Sequence, residues 1–396
     1  MPEISKRAQK LSFSPIRKLI PYANKAKQKG IKVYHLNIGQ PDIKSPKIFL
    51  EKLKSYKETT VAYSQSDGNE NFKKSLCHYY QSIGLNVKPD EIIATYGGSE
   101  ALTMAFFILL KKGQQCLTVE PFYTNYLTIA ATAGVDIKII TTKIENNFTL
   151  PPIEKIKKAV SQKTKAILIC SPSNPTGALY PPKILEELVD FCCKKNIFII
   201  TDEAYRDFAY DSKKAVSLLS FKKGKKIVVA VDTLSKRYSL CGARLGALVS
   251  GNKKVIEAAL KIAQSRTSIS AIGQYAACGL HKVPANYRKN ILKEYQKRRD
   301  VLMEGLKKIP GVKFNKPEGA FYLIAQLPVD DAEKFCKFLL EKFNYKKETV
   351  MLAPAEGFYL TPGLGKNQVR IAYVLKSSDL KKACLILKKA LEVYKN

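Results

Sequence analysis

From about residue 90 the chain alternates short apolar runs with amphipathic segments. Residues 92–95, 116–119, 136–140, 166–170, 197–201 and 227–231 read as strands. Periodic apolar positions predict helices between them at 101–110, 126–133, 153–160 and 184–195. Short apolar strands separated by helices predict an α/β fold: a mostly parallel sheet with helices on both faces. In such sheets ligands sit outside the carboxyl ends of the strands. Ahead of this block, residues 1–45 form an arm with turn residues at Ser14-Pro15, Pro21 and Gly39-Gln40-Pro41-Asp42, and a short strand at 33–38. Helices near 48–53 and 72–82 flank the segment Y-S-Q-S-D-G-N at 63–69. Beyond residue 271 the chain is helical, with a long charged helix at 287–308 ended by Pro310-Gly311. Strands at 321–325 and 369–373 then alternate with helices at 331–343 and 378–394, as in a smaller α+β domain. The expected division is an arm, 1–45, joining a small C-terminal domain, 286–396, around a large domain, 46–285.

A length of 396 residues suits one large and one smaller domain, and 45% apolar with 26% charged residues is ordinary for a globular chain. The longest apolar stretch, 101–110, is too short to span a bilayer, and the opening M-P-E-I-S-K-R lacks the apolar core of a secretory signal. No membrane association is expected. Nine cysteines, without C-x-x-C pairs, indicate neither a disulfide frame nor a metal site, and point to the reducing cytoplasm. A net charge of +33 can mark a polyanion-binding surface. Here the lysines are scattered in pairs, such as Lys111-Lys112, Lys157-Lys158, Lys194-Lys195 and Lys381-Lys382, with no basic arm, zinc finger or aromatic RNA-binding pattern. They read as solvated faces, and no nucleic-acid partner is expected.

Residues 231–246 read V-D-T-L-S-K-R-Y-S-L-C-G-A-R-L-G and begin where an apolar run ends. They bring Thr233, Ser235, Lys236 and Arg244 to the carboxyl end of a buried strand. A lysine held there among small residues can lose its proton and form an imine with an aldehyde. Hydroxyls and an arginine beside it suit the phosphate that such an aldehyde cofactor carries. Taken alone, the pattern also fits a surface Lys-Arg pair in a lysine-rich chain, and four further segments weigh against that. G-G-S-E at 97–100 leads from a strand into a helix, whose first N–H groups can bind phosphate. S-P-S-N-P-T-G at 171–177 holds Asn174 in a rigid backbone. T-D-E-A-Y-R at 201–206 ends a strand on Asp202, a carboxylate needing a cationic partner such as a protonated ring nitrogen, with Tyr205 reaching the same side. Q-V-R-I-A-Y places Arg370 inside a strand of the second domain, suited to bidentate capture of a carboxylate.

With these motifs in this order, the chain resembles the class I aminotransferases of the fold-type I pyridoxal-phosphate family, and among them the aspartate-aminotransferase-like members. The likeness runs from L-N-I-G-Q-P-D to V-R-I-A-Y-V-L and includes N-P-T-G, D-E-A-Y and S-K-x-x-x-x-x-G-x-R-x-G. It implies pyridoxal 5'-phosphate as cofactor, with 46–285 as its binding domain. By resemblance, Lys236 holds the cofactor as an imine and shuttles the proton, and Asp202 pairs with the pyridinium nitrogen. Tyr205 and Asn174 bond its phenolic oxygen, and Tyr123 stacks on its ring. Gly98, Ser99, Thr233, Ser235 and Arg244 take the phosphate, with Glu100 counted among the cofactor contacts and Tyr63 reaching in from a second subunit. Gly39 and Arg370, with Asn174, receive the substrate α-carboxylate. A homodimer follows from the role of Tyr63. The chain departs from the pattern at Ala243, where many relatives carry tryptophan, and at Tyr123, a tyrosine where others stack tryptophan.

The implied reaction is ping-pong transamination between an L-amino acid and a 2-oxo acid, with aspartate and 2-oxoglutarate the favoured pair. A dicarboxylic substrate needs a second cation facing Arg370, and Arg266, in Q-S-R-T-S-I-S, is the expected one. Tyr22, Ile20 and Phe358 would equally line an aromatic-accepting entrance. A carbon–sulfur β-lyase or an aromatic aminotransferase on the same scaffold stays open, since the cofactor contacts would not change. An effector-sensing, nucleic-acid-binding regulator is supported only by the +33 charge, and the family pattern leaves no room for its extra domain ahead of residue 14.

Overall fold

The computed structural model describes residues 2–9, 11 and 13–394. β1 (Lys32–His35) is shorter than the 33–38 strand predicted from sequence. Leu36 still bonds Met351 and Ala372 through its backbone, but the next residue, Asn37, turns its polar groups to Ile16 and Arg370. The block after residue 90 supplies β2 (Ile92–Thr95), β3 (Gln115–Glu120), β4 (Asp136–Thr141), β5 (Thr164–Cys170), β6 (Phe198–Asp202), β7 (Val228–Thr233) and β8 (Gly246–Val249). They form one sheet in the order β2-β8-β7-β6-β5-β3-β4. β8 is antiparallel to both neighbours and the other pairings are parallel, so the sheet is mostly parallel, as the pattern predicted. The sequence reading did not find β8, since G-A-L-V is short and half of it is small residues.

The strands are apolar throughout because both faces are covered. Ile167, Ile169 and Ile199 enter one core, with Leu185 and Leu188 of the helix Pro182–Lys195. Ala166, Leu168 and Ile200 enter another, with Ala101, Met104 and Phe106 of the helix Gly98–Leu109. The small sheet contains β9 (Lys313–Phe314), β10 (Tyr322–Gln326), β12 (Ala353–Pro354) and β13 (Gln368–Ala372), in the order β12-β13-β10-β9. β11 (Glu348–Met351) pairs in parallel with β1, which ties the N-terminal arm to the C-terminal third. The long charged helix spans Ala285–Lys307. Among the described helices none is long and apolar enough to cross a membrane.

β2, β5, β6 and β7 end at one edge of the large sheet. Thr95 and Thr233 both pair with Gly246, Asp202 pairs with Val231, and Cys170 pairs with Asp202. Just behind that edge lies a buried ionic knot. Asp232 receives both terminal nitrogens of Arg237, at 2.8 and 2.7 Å, one of Arg206 at 3.1 Å and the Tyr80 hydroxyl at 2.7 Å. Burial alone would raise the Asp232 carboxyl, but the Arg237 and Arg206 guanidiniums hold it well below the usual carboxylate range. Asp232→Ala leaves two buried cations short of a counter-charge, and we expect it to cost about 3–5 kcal/mol in chemical denaturation. Lys47→Ala, which breaks an exposed pair with Glu51, should leave the unfolding midpoint in place. Equal effects from the two changes would contradict this account.

Candidate active site

Lys236 lies on a single helical turn, Leu234–Arg237, set directly on the end of β7. Thr233 caps that turn, its Oγ1 accepting from the Ser235 N–H at 3.2 Å. The two hydroxyls touch at 2.9 Å. The Lys236 ammonium is half-buried and donates to the Gly39 carbonyl at 2.8 Å, so the arm comes directly over the lysine. Rings of Tyr205 and Phe321 lie 6.0 and 5.9 Å from Nζ.

Asp202 is the last residue of β6 and is buried. The sequence reading expected a cationic partner for it. Among the described residues it has none: the Tyr126 hydroxyl donates at 2.7 Å and the Ala204 N–H at 3.2 Å. Burial pushes the Asp202 carboxyl above the ordinary carboxylate range, opposed by those two donors. Such a site favours a proton or a cation against it. Tyr126 went unnoticed in the sequence, although it stands one helical turn after Tyr123 in P-F-Y-T-N-Y. The Tyr123 hydroxyl is pushed up to about 12, mainly by burial.

Tyr205 and Tyr322 share a hydroxyl–hydroxyl bond of 2.8 Å. Arg370, fully buried in β13, donates to Asn174 Oδ1 at 2.9 Å and to the Asn37 carbonyl at 2.5 Å. Its guanidinium is stacked between Tyr322 and Phe358, at 4.4 and 5.0 Å from the ring centres. Phe358 is therefore interior packing and does not line the entrance. Gly39 is required by close approach, since a Cβ there would lie 1.6 Å from the Tyr322 hydroxyl oxygen.

The cradle at the start of the helix Gly98–Leu109 takes shape around Gly97, whose φ of +74° suits glycine. A Cβ on Gly97 would stand 2.7 Å from Arg244 Nη2, and one on Gly98 would lie 3.8 Å from the Thr233 Cβ. Arg244 holds this place by donating to the Cys241 and Tyr96 carbonyls at 2.9 and 3.2 Å. Its guanidinium has no carboxylate partner among the described residues. Ser99 is exposed in the first turn, where helix N–H groups lack intrahelical partners.

Glu100 turns its side chain to the loop before the helix. Its Oε2 accepts from the Tyr96 N–H at 2.7 Å and its Oε1 lies 2.9 Å from Arg266 Nε. A carboxylate engaged in this way braces the loop, and the Glu100 N–H stays among the first-turn donors. Arg266, the cation expected to face Arg370, lies in that ion pair and donates to the Ala94 carbonyl at 2.6 Å, while its Nε and Nη1 are buried without a hydrogen-bond partner among the described residues. Tyr63 is 82% exposed and contacts none of the other site residues within its own chain.

The residues present fit pyridoxal phosphate. There is a phosphate-sized group of hydroxyls, helix N–H groups and an unpaired arginine beside a lysine. A buried carboxylate without a counter-charge among the described residues, Asp202, ends the strand next to that of the lysine turn, and Arg370 Nε and Asn37 Oδ1 are buried without partners. Together, the doubly covered sheet, the two-part architecture and the lysine at the strand edge define an enzyme of the aspartate-aminotransferase-like fold. The model of the aminotransferases of class I and II matches residues 31–387, and the chain belongs to that family and is a transaminase. The aspartate aminotransferase of Thermotoga maritima is 33% identical over 95% of this chain and 97% of its own. Among solved structures, alanine aminotransferase from Pyrococcus furiosus aligns with a TM-score of 0.90 at 29% identity, over 99% of this chain and all of its own. Aspartate aminotransferase from Thermus thermophilus with maleate aligns with a TM-score of 0.89 at 26% identity, over 98% and 100% of the two chains. The family uses pyridoxal phosphate.

The environment of Asp202 gives a test that needs no substrate. A carboxyl raised on folding contributes stability that is complete below its unfolded value and is lost as pH rises through the folded one. Without cofactor, Asp202→Asn should therefore match the parent near pH 4 and gain on it toward neutral pH, by about 1–2 °C in Tm. A difference independent of pH would show that the Asp202 charge is not the cause.

Proposed function

We propose that this transaminase moves an amino group between aspartate and 2-oxoglutarate, binding pyridoxal 5'-phosphate at the Lys236 edge of the sheet. The observation that supports the reading is the meeting of Lys236 with Gly39 and the Tyr205 ring, and of Arg370 with Asn174 and the Tyr322 ring that bonds Tyr205, beside the strand end that carries buried Asp202. Bound there, the cofactor supplies an aldehyde to carry the amino group and a protonated ring to take up the electron pair of the broken bond. Arg370 and Asn174 orient the substrate α-carboxylate, using the free Arg370 Nε. Lys236 Nζ, as the free neutral amine once it has left the Gly39 carbonyl, would take the proton from the substrate α-carbon and pass it to the cofactor carbon in each half-reaction. Asp202 would keep a negative charge against the ring nitrogen. Tyr205 and Asn174 would donate to the ring oxygen, and Tyr123 would cover the ring face. Thr233, Ser235, Arg244 and the N–H groups of Gly98 and Ser99 would hold the phosphate.

The chain acts as a homodimer on this reading, with Tyr63 completing the neighbouring phosphate site. Its exposure, with that of Val61 and Tyr96, supports a covered surface there. Residues 46–285 carry the cofactor, and 1–45 with 286–396 form the part that meets the substrate carboxylate. A cytoplasmic setting agrees with nine unpaired thiols. The dicarboxylic pair is favoured by the Thermotoga relative's name and by the maleate in the Thermus structure. The Pyrococcus structure, an alanine aminotransferase, means that this chain's own cations must decide the question.

Lys236→Ala should lower turnover by more than about 100-fold and end borohydride fixation of the cofactor to the chain, read by mass spectrometry. Activity near the parent's would remove Lys236 from its role. Arg370→Ala should raise KM for every amino donor in a panel run against 2-oxoglutarate. A rise confined to dicarboxylic donors would assign Arg370 to the wrong end of the substrate.

A further inference from the structure

A dicarboxylic substrate held by Arg370 presents its second carboxylate to a different part of the site, and a second cation must meet it. The cations already described are committed. Arg266 is paired with Glu100, Arg244 belongs to the phosphate cradle, and Lys236 is the reacting amine. Lys18, on the arm, is paired with Glu333.

Arg17 is different. It lies in the turn that leads into the helix Ile20–Gln28, a turn closed by bonds from the Arg17 and Lys18 N–H groups to the Ser14 carbonyl, both 3.0 Å. The preceding residue is pinned to the site: the Ile16 carbonyl accepts from Asn37 Nδ2 at 3.1 Å, while the Asn37 carbonyl accepts from Arg370 at 2.5 Å. One asparagine thus links the residue before Arg17 to the guanidinium that takes the α-carboxylate. The Ile16 side chain packs on the cluster that contains Phe358, whose ring lies against Arg370. The following residue, Lys18, fixes the other side of the turn. The Arg17 side chain is exposed and has no ion pair or hydrogen bond among the described residues, so its charge is available. Its field reaches the Tyr123 hydroxyl together with that of Arg370, and both act to lower it against the dominant effect of burial. Arg370 Nε and Asn37 Oδ1, both buried and unpartnered, lie on the same linkage and point to a ligand there.

We propose that Arg17 is the cation that reads the second carboxylate of a dicarboxylic substrate, in the place expected of Arg266. The inference rests on the aspartate/2-oxoglutarate reading and names the residue responsible for it. Arg17 is a specificity residue: it touches the far end of the substrate and moves no proton.

The test uses the cofactor-loaded enzyme and two readouts. First, Arg17→Met should lower the ratio of kcat/KM for aspartate over alanine by about 10- to 100-fold, as expected for loss of a charged hydrogen-bond partner. Arg17→Lys should restore part of it. Second, the parent should bind succinate more tightly than butyrate by calorimetry, and Arg17→Met should remove most of that preference. An unchanged ratio together with an unchanged succinate preference would overturn the assignment of Arg17. A parent that turns over alanine and rejects aspartate would instead overturn the aspartate reading. In that case a succinate preference lost in Arg17→Met would still support Arg17 as the carboxylate reader, and its absence would end that idea as well. Arg17 is exposed, so its replacement leaves folding intact, and far-ultraviolet circular dichroism of the variants should match the parent.

Discussion

Two buried guanidiniums share the Asp232 carboxylate, and the turn that carries Lys236 is closed by that sharing. Arg237 reaches back from the residue after Lys236 to the residue before Thr233, closing the turn on itself with two parallel bonds. Arg206 reaches the same carboxylate from beyond the end of β6, and its other terminal nitrogen meets Glu203. The Asp202 strand end and the Lys236 turn are thereby coupled through side chains as well as through the ladder that pairs Asp202 with Val231. Burying this many charges is favourable only when nearly every lone pair and N–H is matched. Asp232 meets that condition with Tyr80 in addition to the arginines, and Glu203 does so with Ser217, Thr201 and the Leu218 N–H. A loosened partner would leave an uncompensated charge next to the chemistry, so the turn has little freedom to wander.

The other half of the site comes from a distant part of the chain and is positioned differently. Gly39, Asn37 and Arg370 belong to the arm and the small sheet, and neutral contacts bring them to Lys236. The Gly39 carbonyl receives the ammonium, Asn37 links the arm to Arg370, and the Tyr322 ring fills the space that a side chain on residue 39 would need. The Arg370 end of the candidate site is thus assembled where the arm meets the small sheet. The lysine end is built within a single sheet edge. The contacts of the arm are therefore separate from the charged knot beneath Lys236.

Much of this was legible in the sequence, for a physical reason that can be stated residue by residue. Strands covered on both faces are apolar throughout, so β3, β5, β6 and β7 appear as runs, and the polar residue that ends each run marks the functional edge. Asp202 and Thr233 are found that way. β8 was not, because four residues, half of them small, carry no run to detect. Pairings across long separations in sequence leave no local trace either, which is why Tyr126 against Asp202, Tyr322 against Gly39 and Arg266 against Glu100 emerged only from the fold. The counter-charge of Arg266 was hidden for the same reason, since Glu100 lies far from it in the chain.

The excess of positive charge reads differently once burial is known. Among the described residues the fully buried cations are nearly all arginine: Arg206, Arg237, Arg298, Arg299 and Arg370. Lys73 is the buried lysine, and it is paired with Asp67. An ammonium is a compact, strongly hydrated charge, and burying it forfeits more than burying a guanidinium, whose five donors can each find an acceptor. The lysines that make the chain basic are consequently left on the surface, where water and salt screen them. Lys236 breaks this pattern. It is drawn out of solvent beside a single carbonyl acceptor and two aromatic rings, with no carboxylate partner among the described residues. A lysine in such surroundings, held by one carbonyl and lying near two rings, fits the role proposed for its amine.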